Sequence, residues 1–233
     1  MTLETSTTPV RTEPTVAEDV LLLLFQPASG TIAGEGTLFY VLGGAVLAEL
    51  SMRGAVGVED AGLLGTVVHT IGETAPEDAL LSATWSYLEP KPRGVQTVLA
   101  AMGPHLRGPV LDRLVERGDL QRERGRVLGI LPTEKLTEGD TGRRAELVAE
   151  LRAVLVDGVE PTPRIAAAGA LVAASGALPW FERELPWNSA VASRAKALQQ
   201  GEWGAAAAAA AVARTMVAIV VNSTIAATVI ATR

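Results

Sequence analysis

The longest apolar stretch of the chain runs from Ala205 to Ala231, AAAAAAAVARTMVAIVVNSTIAATVIA, with Arg214 as its only charge. A helix with no polar face has to be surrounded, either by lipid or by other helices. An Ala-rich first half drives membrane insertion weakly, and a charge near the middle of a bilayer costs at least a few kcal/mol. The stretch is therefore expected to thread the centre of a helical bundle. A second all-apolar run, Val20–Phe25 (VLLLLF), follows Ala17-Glu18-Asp19. Acids ahead of an apolar run mark a helix start, here of a deeply buried helix. Residues 1–16 are rich in Thr and Pro without a hydrophobic period, and are expected to form a disordered leader. No clean linker divides residues 17–233, so they are expected to form a single domain.

Between these two runs the pattern alternates short helices with turns. Gln26 to Gly36 reads as a loop, and Leu38–Arg53 as a helix that Gly54 closes. Its internal Gly43-Gly44 pair costs ~1 kcal/mol per residue relative to Ala, which points to close approach by a neighbouring helix. Ala55–Val58 and Thr66–Ile71 read as a small antiparallel pair. Helices are expected over Glu77–Tyr87, Val95–Met102 and Pro104–Arg117, the last closed by Gly118. A β-hairpin over Asp119–Leu131 would turn at Arg124-Gly125, with Pro132 ending its second strand. A long amphipathic helix is expected over Thr137–Val156, a buried small-residue helix over Ile165–Ala174, and a polar-faced helix over Ala190–Gln200. Between the last two the tripeptide LPW occurs twice, at Leu178–Trp180 and Leu185–Trp187. The fold class is mainly α: helices wrapped around a central hydrophobic helical bundle, with one or two small β-hairpins.

Composition narrows the chemistry. The absence of cysteine excludes disulfides and thiolate metal sites, and two histidines, His69 and His105, are too few for a His-based metal cluster. A net charge of −6 weighs against nucleic acid as a partner. The basic residues are nearly all Arg, with Lys91, Lys135 and Lys196 the exceptions; with the Ala and Val richness this suggests a GC-rich bacterial genome. Neither a secretory signal nor a transmembrane segment is legible, so the expected location is cytoplasmic, including a peripheral position on the cytoplasmic membrane face. No GxSxG, HExxH, Walker A or GxGxxG pattern occurs. The expectation is a protein with no catalytic activity, no cofactor and no metal.

Two groups of residues stand out as candidate sites. A phosphate headgroup needs several convergent donors, and Arg forks serve best. His105 and Arg107, at the start of one helix, with Arg122 and Arg124 on the hairpin, form a candidate anionic-headgroup patch. The plainer reading makes them solvated faces. Trp180, Phe181 and Trp187 are candidates for an interfacial anchor or a protein-partner surface, against core packing at a helix corner.

In chain order, the residues give an acid-VLLLLF helix, then GAVLAELSMRG (Gly44–Gly54), then VLDRLVERGDL (Val110–Leu120) running into a hairpin, then an apolar final helix. The most specific pieces are Leu47-Ala48-Glu49-Leu50, followed two residues on by Arg53-Gly54, and Leu114-Val115-Glu116-Arg117-Gly118. Over most of residues 17–233 the chain resembles the Golgi phosphoprotein 3 family, in a bacterial, actinomycete-like branch. The resemblance implies a mostly helical fold on a central hydrophobic bundle. Eukaryotic members are cytosolic peripheral membrane proteins that bind phosphatidylinositol 4-phosphate and act as adaptors retaining glycosyltransferases. Their lipid pocket uses one Trp and three Arg, and a hydrophobic hairpin dips into the bilayer. Here the Trp position falls around Gly34–Gly36, which has no Trp, and the Arg positions fall on Gly43, Pro104 and Arg107, so only Arg107 is retained. The expected hairpin tip reads RERGR. The resemblance therefore implies a non-catalytic, peripheral membrane-associated protein that binds an anionic phospholipid or phosphoinositide through an Arg patch. The alternative is a soluble scaffold that binds a protein partner without lipid recognition.

Overall fold

The computed structural model describes residues 13–62, 65–127, 131–181, 184–202 and 215–220, without the side chains of 124–127 and 131–134. Helix α1 (Val16–Leu24) is buried along its whole length, Glu18 and Asp19 included. It starts at Val16 because Thr15 and Glu18 cap it reciprocally. The Thr15 hydroxyl accepts from the Glu18 amide at 3.4 Å, and Glu18 Oε2 accepts from the Thr15 amide at 2.7 Å. Two backbone donors that the first turn leaves over are thereby satisfied. Helices α2 (Leu38–Met52) and α7 (Pro163–Ala174) pack against α1 and against each other, making the centre of the molecule.

The described part of the C-terminal apolar stretch joins that centre. Residues 215–220 are helical, with Met216, Ile219 and Val220 buried. The Ser51 and Thr215 hydroxyls lie 3.0 Å apart. A Cβ added to Gly44 would sit 2.7 Å from Ile219 Cγ2 and 2.8 Å from Leu171 Cδ2. The in-helix glycine thus marks the point where α2, α7 and the terminal helix meet, and small side chains allow that approach. Residues 205–214 and 221–231 of the expected central helix lie outside the described set.

Around this centre are packed α3 (Ala79–Leu88), α4 (Val95–Met102), α5 (Arg107–Arg117), α6 (Arg143–Arg152) and α8 (Ser189–Gln199). Among the described residues, three small antiparallel sheets decorate it. Strands β1 (Phe25–Gln26) and β2 (Thr31–Ile32) form a short hairpin inside the expected loop, followed by a 3₁₀ turn at Glu35–Thr37. Strands β3 (Val56–Asp60) and β4 (Thr66–Thr70) pair as expected, and β5 (Arg93–Gly94) adds a third strand beside β4. The architecture is mainly α with small β-hairpins.

The largest departure from the sequence reading is the second hairpin. Strands β6 (Leu120–Val127) and β7 (Leu131–Glu138) are longer than expected, and Arg124-Gly125 lies within β6 rather than at a turn. The strands connect through residues 128–130, which are outside the described set. Pro132 lies inside β7, opposite Arg126, and does not end it. In a two-stranded ribbon each strand keeps one unpaired edge, where a residue without an N–H is tolerated. The longer second strand displaces the following helix: α6 begins at Arg143, not Thr137, and continues into a π-helical turn at Ala153–Asp157. Gly139 separates the two elements because a Cβ there would lie 1.8 Å from the Gly118 carbonyl oxygen. No side chain fits at that crossing.

Candidate functional site

Helix α5 begins at Arg107, just after a 3₁₀ turn at Gly103–His105. Arg107 and Leu111, four residues apart, share one face of the helix. Across from them, Arg122 on β6 stands opposite Leu136 on β7, and residues opposite each other in an antiparallel pair share a face of the ribbon. These four residues, with Gly30, Thr31, Ile32 and Glu35, line one open cavity of about 340 Å³. The fold thus brings Arg107 and Arg122 together from two elements. His105 is exposed on the turn before α5 and does not line the cavity. The side chain of Arg124 is outside the described set, although its backbone pairs with Glu134.

Both guanidinium groups already have carboxylate partners. Arg107 Nε donates to Glu35 Oε1 at 2.5 Å, and Arg122 Nη2 donates to Asp112 Oδ1 at 2.5 Å. All four side chains are at least a third exposed. Exposed pairs of this kind are worth only ~0–1 kcal/mol, so an incoming anion can replace the carboxylate at small cost. The Lys135 stem packs near the lining residue Gly30, where its Cγ would lie 3.1 Å from an added Cβ, but Lys135 itself does not line the cavity. Glu35, Asp112 and Lys135 were not singled out in the sequence. Only the Glu35 position had a signal, since it falls in the loop where the family places its Trp.

A second charged cluster lies at the buried N-terminal end of α1. Glu18 Oε1 accepts from Arg117 Nε at 2.6 Å. Asp19 accepts from Arg143 and, at 2.5 Å, from Arg164 Nε. Arg143 also donates to Asp119 Oδ2 at 2.6 Å. Glu49 Oε2 accepts from the Val16 amide at 2.9 Å, and its Oε1 from Arg53 Nε at 2.8 Å. Burial pushes the Asp19 carboxyl up, against the pull of Arg164 and Arg143, which favour its charged form. At the edge of this cluster Asp78 caps α3, accepting from the Leu80 and Leu81 amides, and takes a two-pronged bond from Arg113. Partial burial pushes its carboxyl up, but the Arg113 bonds and charge outweigh that and hold it below its ordinary value.

The aromatic candidates divide. Phe181 has no exposed surface and belongs to the core, which removes it from any contact surface. Trp180 and Trp187 are 66% and 45% exposed. Tryptophan is highly buried on average, so core packing does not describe these two. Among the described residues, no helix is long and apolar enough to cross a membrane, and no group of three or more His, Asp or Glu is placed to hold a metal ion.

Residues 16–215 match the sequence model of a family described as Golgi phosphoprotein 3 (GPP34). No curated protein matches the chain. The match spans most of the sequence, and the chain belongs to the Golgi phosphoprotein 3 family. Membership suggests a non-enzymatic, adaptor-like protein.

Proposed function

We propose, on the premise of that membership, that the protein is a peripheral membrane-associated adaptor that binds an anionic phospholipid headgroup in the cavity between α5 and the β6–β7 hairpin. The observation that supports this reading is the convergence of Arg107 and Arg122 on one open cavity. A phosphate oxygen would take over the guanidinium donors now held by Glu35 and Asp112, which can swing into water. Charge-assisted bonds to phosphate are among the stronger hydrogen bonds available to such a site. The apolar lining residues Ile32, Leu111 and Leu136 can meet the less polar part of a headgroup.

Sedimentation with vesicles of neutral lipid, and of neutral lipid mixed with phosphatidylglycerol, tests this at low salt. The protein is expected to pellet with the anionic vesicles only. A double change, Arg107→Ala with Arg122→Ala, is expected to lower the partition coefficient roughly thirtyfold, at ~1 kcal/mol for each basic residue near an anionic surface. The melting temperature is expected to stay within a degree or two, because both ion pairs are exposed. Equal recovery in the supernatant with both vesicle types refutes the reading. The second reading, a scaffold that binds a protein partner without lipid recognition, is favoured by one observation. Both guanidinium groups are already neutralised by carboxylates of the chain itself.

A further inference from the structure

The two LPW tripeptides adopt the same in-and-out arrangement. In the first, a 3₁₀ turn covers Leu178–Phe181. Side chains three apart eclipse in such a turn, so Leu178 and Phe181 both point inward, at 3% and 0% exposure. Trp180 is left facing water. In the second, Leu185 is buried and Trp187, beyond Pro186, is exposed. A Trp offers 150–250 Å² of apolar area for burial, so Trp180, mostly in water, and Trp187, about half exposed, each leave much of that hydrophobic gain unrealised.

Three contacts tie this segment to α6 and to β1, the strand paired with one wall of the cavity. Arg144 on α6 donates from Nε to the Phe25 carbonyl at 3.1 Å and from Nη1 to Glu184 at 2.8 Å. Phe25 pairs with Ile32, a residue that lines the cavity. Arg152, one further pair of turns along α6, donates to the Glu184 carbonyl at 2.9 Å. Glu184 is thus paired with Arg144, and the exposed Arg152 is a cation held at the Glu184 carbonyl, between the two tripeptides in the chain. Exposed indole rings on a segment that also holds a cation suit the headgroup level of an anionic bilayer, where one edge of the ring is wet and the rest is not.

We infer that Trp180 and Trp187 form an interfacial anchor that inserts at the headgroup level of an anionic membrane while the cavity holds a headgroup. This rests on the headgroup reading of the cavity for the choice of lipid over protein as occupant. The experiment is tryptophan fluorescence with vesicles of phosphatidylglycerol and neutral lipid, with and without acyl-chain bromination. The wild-type chain is compared with Trp180→Ala/Trp187→Ala and, separately, with Arg107→Ala/Arg122→Ala.

The expected result is quenching by brominated anionic vesicles that the double Trp variant loses, together with a roughly tenfold or larger drop in partition coefficient. Circular dichroism melts of that variant are expected to match the wild type, because the rings are exposed. Sedimentation with anionic vesicles but without loss of quenching in the double Trp variant overturns the anchor and leaves the headgroup reading standing. Quenching by neutral and anionic vesicles alike overturns the headgroup reading, and with it the anchor as a device for anionic membranes. No partitioning to either vesicle overturns both. A soluble protein bound stoichiometrically through the two Trp, with vesicle partitioning unchanged in the double Trp variant, assigns the surface to a protein and overturns the lipid anchor.

Discussion

Two charged clusters of this protein use the same side chains to opposite ends. At the head of α1, Asp19 and Asp119 are held by a shared Arg143, and Glu18 by Arg117, with the carboxylates almost wholly out of water. At the cavity, Arg107 and Arg122 hold Glu35 and Asp112 in the open. An ion withdrawn from water pays a solvation penalty that only its fixed partners offset, so each buried partner becomes indispensable to the others. An exposed ion keeps water as a second partner and can exchange the first. The buried cluster therefore reads as architecture and the exposed one as a place where a ligand can compete, although a list of salt bridges would rank them alike.

The largest expected effect breaks the buried side of that contrast. Arg143→Ala strips a partner from both Asp19 and Asp119 at once, with side-chain exposures of 2% and 3%. Breaking a buried pair in this way costs about 3–5 kcal/mol, a large share of a typical domain's stability. A urea melt reads it directly. A loss below about 1 kcal/mol would show that Arg164 alone satisfies Asp19, and that the cluster is looser than its geometry.

Asp78 lies between the two extremes and sharpens the contrast through pH. Its folded carboxyl is held below its ordinary value of 3.8, so its contribution is fully present above that value and fades as pH falls through the folded one. Asp19 runs the other way: its folded value is raised, so ionising it as pH rises weighs against the fold. Asp78→Asn is expected to cost about 1 kcal/mol at neutral pH, since Asn retains a capping oxygen but loses the charge facing Arg113. The gap between variant and wild type should close in acid, below pH 3.8. A gap that persists unchanged to pH 2 would mean that the neutral hydrogen bonds, and not the ion pair, carry the effect.

Much of this architecture was legible in the residues, and the exceptions have physical causes. Helices α2 and α4 fall where periodicity and glycine punctuation put them, and the Gly43-Gly44 pair announced the close approach that Ile219 and Leu171 fill. The cap of α1 was also in view, because Thr15-Val16-Ala17-Glu18 is a capping box. The Thr and Pro richness of the preceding residues masked it. The β6–β7 register was not readable. Gly125 looks like a turn residue, and nothing local shows that Arg122 stands opposite Leu136. In the cavity, Arg107 and Arg122 were visible as candidates, but Glu35 was not. The Arg107 pair spans 72 residues and depends on how α5 is rotated against the 3₁₀ turn that follows β2, which only packing decides. The outward direction of Trp180 likewise depends on a 3₁₀ turn that sequence periodicity does not resolve.

The smallest effect on stability tests the exposed side and gives the clearest functional readout. Glu35→Gln removes the carboxylate from Arg107 while keeping the shape of the loop. The loss of stability is expected to be under about 0.5 kcal/mol, as for other exposed pairs. Partition onto phosphatidylglycerol vesicles is expected to rise about fivefold, because removing one negative charge at an anionic surface is worth ~1 kcal/mol, as adding one positive charge would be. The gain should shrink as salt rises toward the physiological range, since the Debye length there falls to about 8 Å. If binding drops instead, Glu35 is aiming the Arg107 guanidinium rather than occupying it, and the exposed pair is then as much a part of the built structure as the buried one.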